Sequence, residues 1–96
     1  MTKFLETVKS VKCSLRDLFP ATPIQKNEYL SAKFDAEVFL KREDLSPVRS
    51  YKIRGAFNSM KRVIDSHEKS NTFVCASAGN HAQGVAYVCN QKKIEI

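Results

Sequence analysis

Two short segments of this chain carry residue types that could do chemistry. The first is Ser50-Tyr51-Lys52-Ile53-Arg54-Gly55, and the second is Ser77-Ala78-Gly79-Asn80-His81-Ala82-Gln83-Gly84. Lys52 carries a primary amine, and a neutral amine can attack a carbonyl group to form a Schiff base. The second segment contains Gly and Asn, which favour a turn whose backbone N–H groups can bind an anion such as a carboxylate. The first segment therefore predicts carbonyl chemistry, and the second predicts an anion cradle.

The surroundings of Lys52 favour the neutral form of its amine. We expect Lys52 to lie in the first turn of a helix, where the helix dipole is positive, and Arg49 and Arg54 add further positive charge. Positive surroundings and burial both disfavour the ammonium form. The alternative is a solvated lysine beside two arginines, and the residues alone leave both interpretations open.

The glycines of the second segment do not form a nucleotide site. Gly79 and Gly84 match the start of the phosphate-binding pattern G-x-x-x-x-G-K-[ST], but Val85-Ala86 follow where Lys and Ser or Thr are required. The pattern G-x-G-x-x-G is also absent. These mismatches exclude a nucleoside triphosphate or dinucleotide site. An anion cradle flanked by Ser77 and Asn80, or an ordinary loop, remains.

The histidines and cysteines predict neither a metal site nor a disulfide framework. His81 has no His, Cys or acidic neighbour at ligand spacing, and His67 is expected to be solvated. The three cysteines, Cys13, Cys75 and Cys89, form no C-x-x-C pair. Reduced thiols fit a cytoplasmic protein.

The composition is that of a globular domain rather than a membrane or nucleic-acid-binding segment. The 96 residues carry a net charge of +6, but the basic residues are scattered in short pairs. A solvated basic surface is therefore favoured over a nucleic-acid site. No stretch has the apolar run of a signal peptide or a membrane span.

The elements that must position the two segments are predicted from apolar spacing. Three helices are indicated by the stripes Phe4, Val8, Val11, Leu15 and Leu18; Ile53, Ala56, Phe57, Met60 and Ile64; and Ala82, Val85, Ala86 and Cys89. Pro20 and Pro23 end the first helix. Ser50 is expected to cap the second helix, which should end near His67 to Ser70.

Three strands are predicted between and after these helices. They are Glu37–Leu40, a fully buried run at Thr72–Ala76, and an opening strand at Lys93–Ile96. Alternating strands and helices predict an α/β fold with a parallel sheet and crossover helices. Because the chain stops within this pattern, we expect it to be a fragment of a larger protein.

With these motifs in place, the sequence resembles the threonine dehydratase family of fold-type II pyridoxal-phosphate enzymes, which are tryptophan synthase beta-like. The segments Leu40–Leu45 and Ser50–Ala56 resemble the cofactor attachment region, and Cys75–Ala86 resembles the asparagine loop. Thr22-Pro23-Ile24 is similar to the segment before the family's first strand. The resemblance covers roughly residues 20–96 and implies an incomplete enzyme domain there, the N-terminal portion of a two-domain enzyme. The helix predicted from the first apolar stripe precedes this domain over 1–19.

The resemblance also implies roles for individual residues. Lys52 would form the Schiff base with pyridoxal phosphate and then act as the base on the substrate's α-hydrogen. Asn80 would hydrogen-bond the cofactor's ring oxygen, and Tyr51 would pack beside the cofactor. The substrate carboxylate would be held by the loop Ser77, Ala78, Gly79, Asn80 and His81.

The implied reaction is the β-elimination of water from L-threonine, which gives 2-oxobutanoate and ammonia for isoleucine biosynthesis. Related serine racemases carry Ser where this chain has Ala78, so racemisation is disfavoured. The Lys41-Arg42-Glu43-Asp44 segment resembles the biosynthetic branch. Family members are usually homo-oligomers, and the implied partner is a small amino acid, with no nucleic acid or membrane.

One departure from the family pattern concerns the phosphate of the cofactor. The family uses a glycine-rich loop there, but this chain has three glycines and none are adjacent. We therefore expect little or no dehydratase activity from the isolated chain. The alternatives are a serine dehydratase or related β-eliminating enzyme, and a non-catalytic truncated product that associates through an exposed sheet edge.

Overall fold

Helices dominate the fold. The computed structural model describes residues 2–66 and 72–95. Its elements, in chain order, are α1 (Thr2–Leu18), β1 (Ile24–Lys26), α2 (Glu28–Phe34), β2 (Phe39–Lys41), α3 (Lys52–Asp65) and α4 (Asn80–Lys92). A 3-10 turn spans Glu43–Leu45. The three helices predicted from apolar spacing are thus confirmed as α1, α3 and α4, while the predicted end of α3 near His67 to Ser70 lies outside the described residues.

The sheet differs from the predicted one. β1 and β2 pair antiparallel, with Ile24 opposite Lys41 and Lys26 opposite Phe39. The predicted strand at Glu37–Leu40 is present with shifted bounds, but its partner β1 lies in a segment for which no strand was predicted. Helix α2 connects the two strands and brings β2 back alongside β1. Because neither α2 nor β1 was predicted from the sequence, this pairing was not predicted either.

The segment before α4 forms less sheet than predicted. Thr72 makes a single parallel bridge to Glu95, and the Phe73 N–H donates to the Glu95 carbonyl at 3.2 Å. Val74 is 91% exposed, so the predicted burial on both faces is wrong. A buried strand needs a neighbour on each side, and the described residues provide only this bridge. They therefore do not form the predicted parallel sheet.

Helix α2 was not predicted, although its sequence carries clear end signals. The Asn27 side-chain oxygen accepts a hydrogen bond from the Leu30 N–H at 2.8 Å, which is a standard N-cap. Glu28 follows in the first turn, where a negative charge is favourable. Asp35 ends the helix in the left-handed conformation, with φ 47°.

The core lies between α3 and α4. The buried apolar residues are Leu15, Phe19, Ile53, Ala56, Phe57, Met60, Val85, Val88 and Cys89. Burial of Ile53, Ala56, Phe57 and Met60 agrees with the predicted stripe, but Ala86 is exposed and Val88 takes its place on α4. Burial raises the pKa of the Cys89 thiol, an effect that the nearby Cys75 reinforces.

Helix α1 packs on this core through its C-terminal end only. Leu15 is buried, whereas Phe4, at the other end of the same stripe, is 72% exposed. The molecule is correspondingly elongated, with extents of 55 × 36 × 21 Å and a radius of gyration of 16.4 Å. Among the described residues, no helix is both long enough and apolar enough to cross a membrane.

Candidate active site

The two chemically suggestive segments meet at one pocket. This pocket of about 350 Å³ lies beside the first turns of α3 and α4, and its lining residues are Tyr51, Lys52, Arg54, Gly55, Ala56 and His81. The structure therefore places the predicted Lys52 and Tyr51 beside His81. A larger groove of about 450 Å³ runs between α1 and α3, but it is lined by none of the predicted site residues.

Lys52 is the first residue of α3, as the sequence predicted. Lys52 is exposed, so the expected burial of this residue is wrong. The Lys52 Nζ lies 5.2 Å from the centroid of the Tyr51 ring, within the range of a cation–π contact. The amine is thus accessible and held over an aromatic face.

A serine-centred turn fixes the backbone just before Lys52. The buried Ser46 hydroxyl donates to the Ser50 carbonyl at 2.8 Å and accepts from the Ser50 N–H at 3.2 Å. Arg49, between them, adopts a left-handed conformation with φ 61°. The prediction that Ser50 caps α3 is wrong, since Tyr51 occupies that position and makes no side-chain cap bond. Ser46 holds the turn instead, a role for which the sequence analysis singled out no residue.

Arg54 is not a free positive neighbour of Lys52, contrary to the sequence-based expectation. Its guanidinium donates to both carboxylate oxygens of Glu43, at 2.7 and 2.9 Å. The Thr22 hydroxyl donates to the same carboxylate at 2.5 Å. The Arg54 hydrogen bonds, together with those of Thr22 and the charges of Arg54 and Lys41, hold the pKa of Glu43 at about 2, against the opposing effect of desolvation. This network ties the segment before β1 and the 3-10 turn to the first turn of α3.

The Glu43–Arg54 pair predicts acid sensitivity. Because the folded-state pKa of Glu43 lies below its ordinary value of 4.5, its stabilising effect is present above about pH 4.5 and is lost as the pH falls towards 2. We expect Glu43→Gln to lower the free energy of unfolding at pH 7 by about 1–2 kcal/mol, since water screens a pair whose side chains remain 20–29% exposed. Urea unfolding followed by circular dichroism at several pH values would measure this difference.

The matched control for this prediction is Glu37→Gln. Glu37 pairs with Lys26 at 3.4 Å, but its side chain is 77% exposed, so its removal should change stability little. The stability difference between the wild type and the Glu43→Gln variant should shrink between pH 4.5 and 2. A difference that stays constant across this range would contradict the prediction.

The predicted anion loop is present, but only its last residue reaches the pocket. The Ser77 hydroxyl accepts a hydrogen bond from the Gly79 N–H at 3.2 Å, and α4 begins at Asn80. The first N–H groups of a helix have no partner within it, so this end of α4 presents donors. His81 lines the pocket, whereas Ser77, Ala78, Gly79 and Asn80 are exposed beside it and do not line it.

The described residues offer no metal centre. No group of three or more His, Cys, Asp or Glu side chains within residues 2–66 and 72–95 is arranged to hold a metal ion. The pocket's chemistry is that of a primary amine, an aromatic ring and an imidazole.

Comparison with known families identifies the group to which this chain belongs. The family model described as "Pyridoxal-phosphate dependent enzyme" matches residues 15–96. The chain is a member of this pyridoxal-phosphate-dependent enzyme family. The matched residues include both segments of the pocket, and the family's cofactor, pyridoxal phosphate, carries an aldehyde with which a primary amine such as that of Lys52 can react.

Proteins similar to this chain occur in several bacteria. A protein of Staphylococcus saprophyticus is 53% identical over 77 residues, which cover 80% of this chain and 18% of that protein. A protein of Halalkalibacterium halodurans is 49% identical over 90 residues, which cover 94% of this chain and 21% of that protein. Both are named L-threonine dehydratase biosynthetic IlvA. The chain spans about a fifth of the length of these curated relatives.

The pocket residues of this family member fit the aldehyde side of the cofactor. Lys52 offers an accessible amine at the pocket, and Tyr51 offers an aromatic face beside it. The pocket's other cation, Arg54, is already engaged by Glu43 and is not available for a phosphate. The pocket lining therefore offers an amine suited to the cofactor's aldehyde, but it does not offer a phosphate cradle.

Proposed function

We propose that this chain contributes the cofactor-binding lysine to an enzyme that deaminates L-threonine to 2-oxobutanoate and ammonia by β-elimination of water, as in isoleucine biosynthesis. The observation that carries the proposal is the shared pocket of Lys52, Tyr51 and His81, in which the Lys52 amine lies beside the start of α4. The names of the bacterial relatives support threonine as the substrate.

Each residue of the proposed site has a distinct task. Pyridoxal phosphate, when bound, supplies an electron sink for the bond that breaks at the substrate's α-carbon. The Lys52 amine would hold the cofactor covalently and, once released by the substrate, would take the α-proton. Tyr51 would pack against the cofactor, and the Asn80 side chain would donate a hydrogen bond to its ring oxygen.

The substrate carboxylate would bind at the start of α4. The backbone N–H groups of Asn80 and His81 lack helical partners, and the positive end of the helix dipole attracts an anion. Ser77 and Gly79 would shape this loop through the hydrogen bond between them. Ala78 has no group that can exchange a proton, which favours elimination over racemisation.

The wider architecture is part of the same proposal. The parallel sheet with crossover helices of a two-domain fold-type II enzyme is supported by the family match and by the parallel bridge between Thr72 and Glu95. We infer that 1–19 forms an N-terminal helix beside an incomplete enzyme domain over 20–96. Assembly into a homo-oligomer is proposed from the family resemblance alone.

The first test is an absorbance spectrum of the purified chain with pyridoxal phosphate, before and after borohydride reduction, with the labelled peptide mapped. We expect reducible labelling at Lys52 in preference to the ten other lysines. L-Threonine and L-serine would then be compared for 2-oxo acid release, which should be small because the chain has no adjacent glycines for a phosphate loop. Labelling spread evenly over the lysines would contradict the proposal.

A further inference from the structure

Helix α4 lies close against the backbone of α3 at Gly84. A Cβ atom placed on Gly84 would lie 3.3 Å from the Cα and from the N of Ile53, and 3.4 Å from the carbonyl carbon of Lys52. All three are backbone atoms, and they belong to the proposed cofactor lysine and the residue after it. By contrast, a Cβ on Gly55 or Gly79 would meet nothing within 4 Å.

The contact explains an otherwise unfavourable residue. Glycine in a helix interior is less favourable than alanine, because it loses more backbone freedom on folding. Gly84 is nonetheless buried in the middle of α4, directly against the first turn of α3. The absence of a side chain is what allows the two helix backbones to lie this close together.

The contact also has a geometric consequence for the pocket. Gly84 lies four residues after Asn80, about one helical turn from the start of α4. A helix moves as a stiff unit over this distance, so the separation at Gly84 sets the position of His81 relative to Lys52. The two sides of the pocket are therefore held at a distance that Gly84 determines.

We propose that Gly84 is a positioning residue, which sets the spacing between the Lys52 amine and the N-terminus of α4. This inference rests on the proposed function of Lys52. Any side chain at position 84 would push the first turn of α4 away from Lys52 by a few tenths of an ångström, because the atoms that it meets are backbone and cannot rotate aside. The amine and the anion-binding N–H groups would then no longer lie at their working separation.

The direct test uses proton–proton contacts in the nuclear magnetic resonance spectrum of the 96-residue chain. In the unaltered chain we expect a contact between the Gly84 α-protons and the amide or α-proton of Ile53, together with contacts between the Tyr51 or Lys52 side chains and His81. Gly84→Ala should weaken the contacts to His81. Absence of the Gly84–Ile53 contact in the unaltered chain would overturn the proposal, even if the alanine variant does not fold.

The second readout is cofactor capture. With pyridoxal phosphate and borohydride, Gly84→Ala should lower the yield of labelled Lys52 about fivefold or more at a fixed cofactor concentration, because small displacements of reacting groups are costly. The control is Asn90→Ala, at an exposed position of α4. This substitution also raises the helix propensity of α4, but it adds no atom that could contact α3. The control should leave both the labelling yield and the contacts to His81 unchanged.

Three further outcomes separate the possible failures. Adding Ile53→Val to Gly84→Ala should not restore labelling, because the predicted overlap is with backbone atoms; restoration would overturn the proposal. If the unaltered chain is not labelled at Lys52, the proposed function fails, and the proton contacts still decide whether Gly84 sets the helix separation. If the Gly84→Ala variant kept all the contacts to His81, Gly84 would not be the residue that sets the helix separation.

Discussion

Replacement of Lys52 with alanine is expected to abolish reducible labelling of the chain's pocket by pyridoxal phosphate. Lys52 is the only lysine among the residues that line the pocket, so the variant has no amine there to react with the cofactor's aldehyde. Any release of 2-oxo acid from L-threonine should also fall by at least about 100-fold, since the same amine would move the α-proton. Peptide mapping after borohydride reduction, and a hydrazone assay for the product, would measure the two effects.

Two other variants make the result specific. Lys52→Arg keeps the positive charge but removes the nucleophilic amine, so it should behave as the alanine variant does. Lys33→Ala removes an exposed lysine of α2, away from the lining of the pocket, and should leave labelling unchanged. If Lys52→Ala retained the wild-type labelling yield, the assignment of the cofactor lysine would be wrong.

Truncation of Phe57 is expected to remove much of the chain's stability. Phe57 is 2% exposed and packs in the core between α3 and α4. Removal of a buried phenyl group costs about 3–5 kcal/mol through lost burial and the cavity left behind. A chain of this length has a total stability of roughly 5–14 kcal/mol, so Phe57→Ala should unfold at much lower urea concentration.

Phe34 provides a closely matched comparison. Its ring lies 5.7 Å from the Lys33 ammonium, just as the Phe57 ring lies 5.7 Å from that of Lys92, so both rings have the same kind of cationic neighbour. Phe34 is 64% exposed, however, and Phe34→Ala should cost less than about 1 kcal/mol. Equal costs for the two variants would show that the α3–α4 contact does not form the core.

Local sequence signals predicted three of the four helices in the described residues, but not the sheet. The stripe Ile53, Phe57 and Met60 repeats with the helical period, so α3 could be found from neighbours along the chain. Pairing of β1 with β2 depends on residues that are 13 to 17 positions apart, such as Lys26 with Phe39 and Ile24 with Lys41. No local pattern encodes that partnership. A short apolar run such as Thr72–Ala76 becomes a buried strand only where neighbours cover it.

The site was predicted only in part, because some of its features depend on local sequence and others on contacts between distant segments. The place of Lys52 at the start of a helix follows from the local sequence, and the structure confirms it. The engagement of Arg54 by Glu43 and Thr22 joins segments that are distant in the chain, so sequence reasoning assigned Arg54 the wrong neighbour. The contact of Gly84 with the Lys52 backbone likewise becomes visible only when two helices pack together.

The extended placement of α1 has a hydrodynamic consequence. A compact chain of 96 residues should have a radius of gyration of about 12–13 Å, whereas the value of 16.4 Å is that of a compact chain of roughly 200 residues. A single copy should therefore have an enlarged Stokes radius and elute from a sizing column close to the volume of a compact dimer. Light scattering, which reports mass rather than shape, distinguishes a true dimer from this elongated monomer.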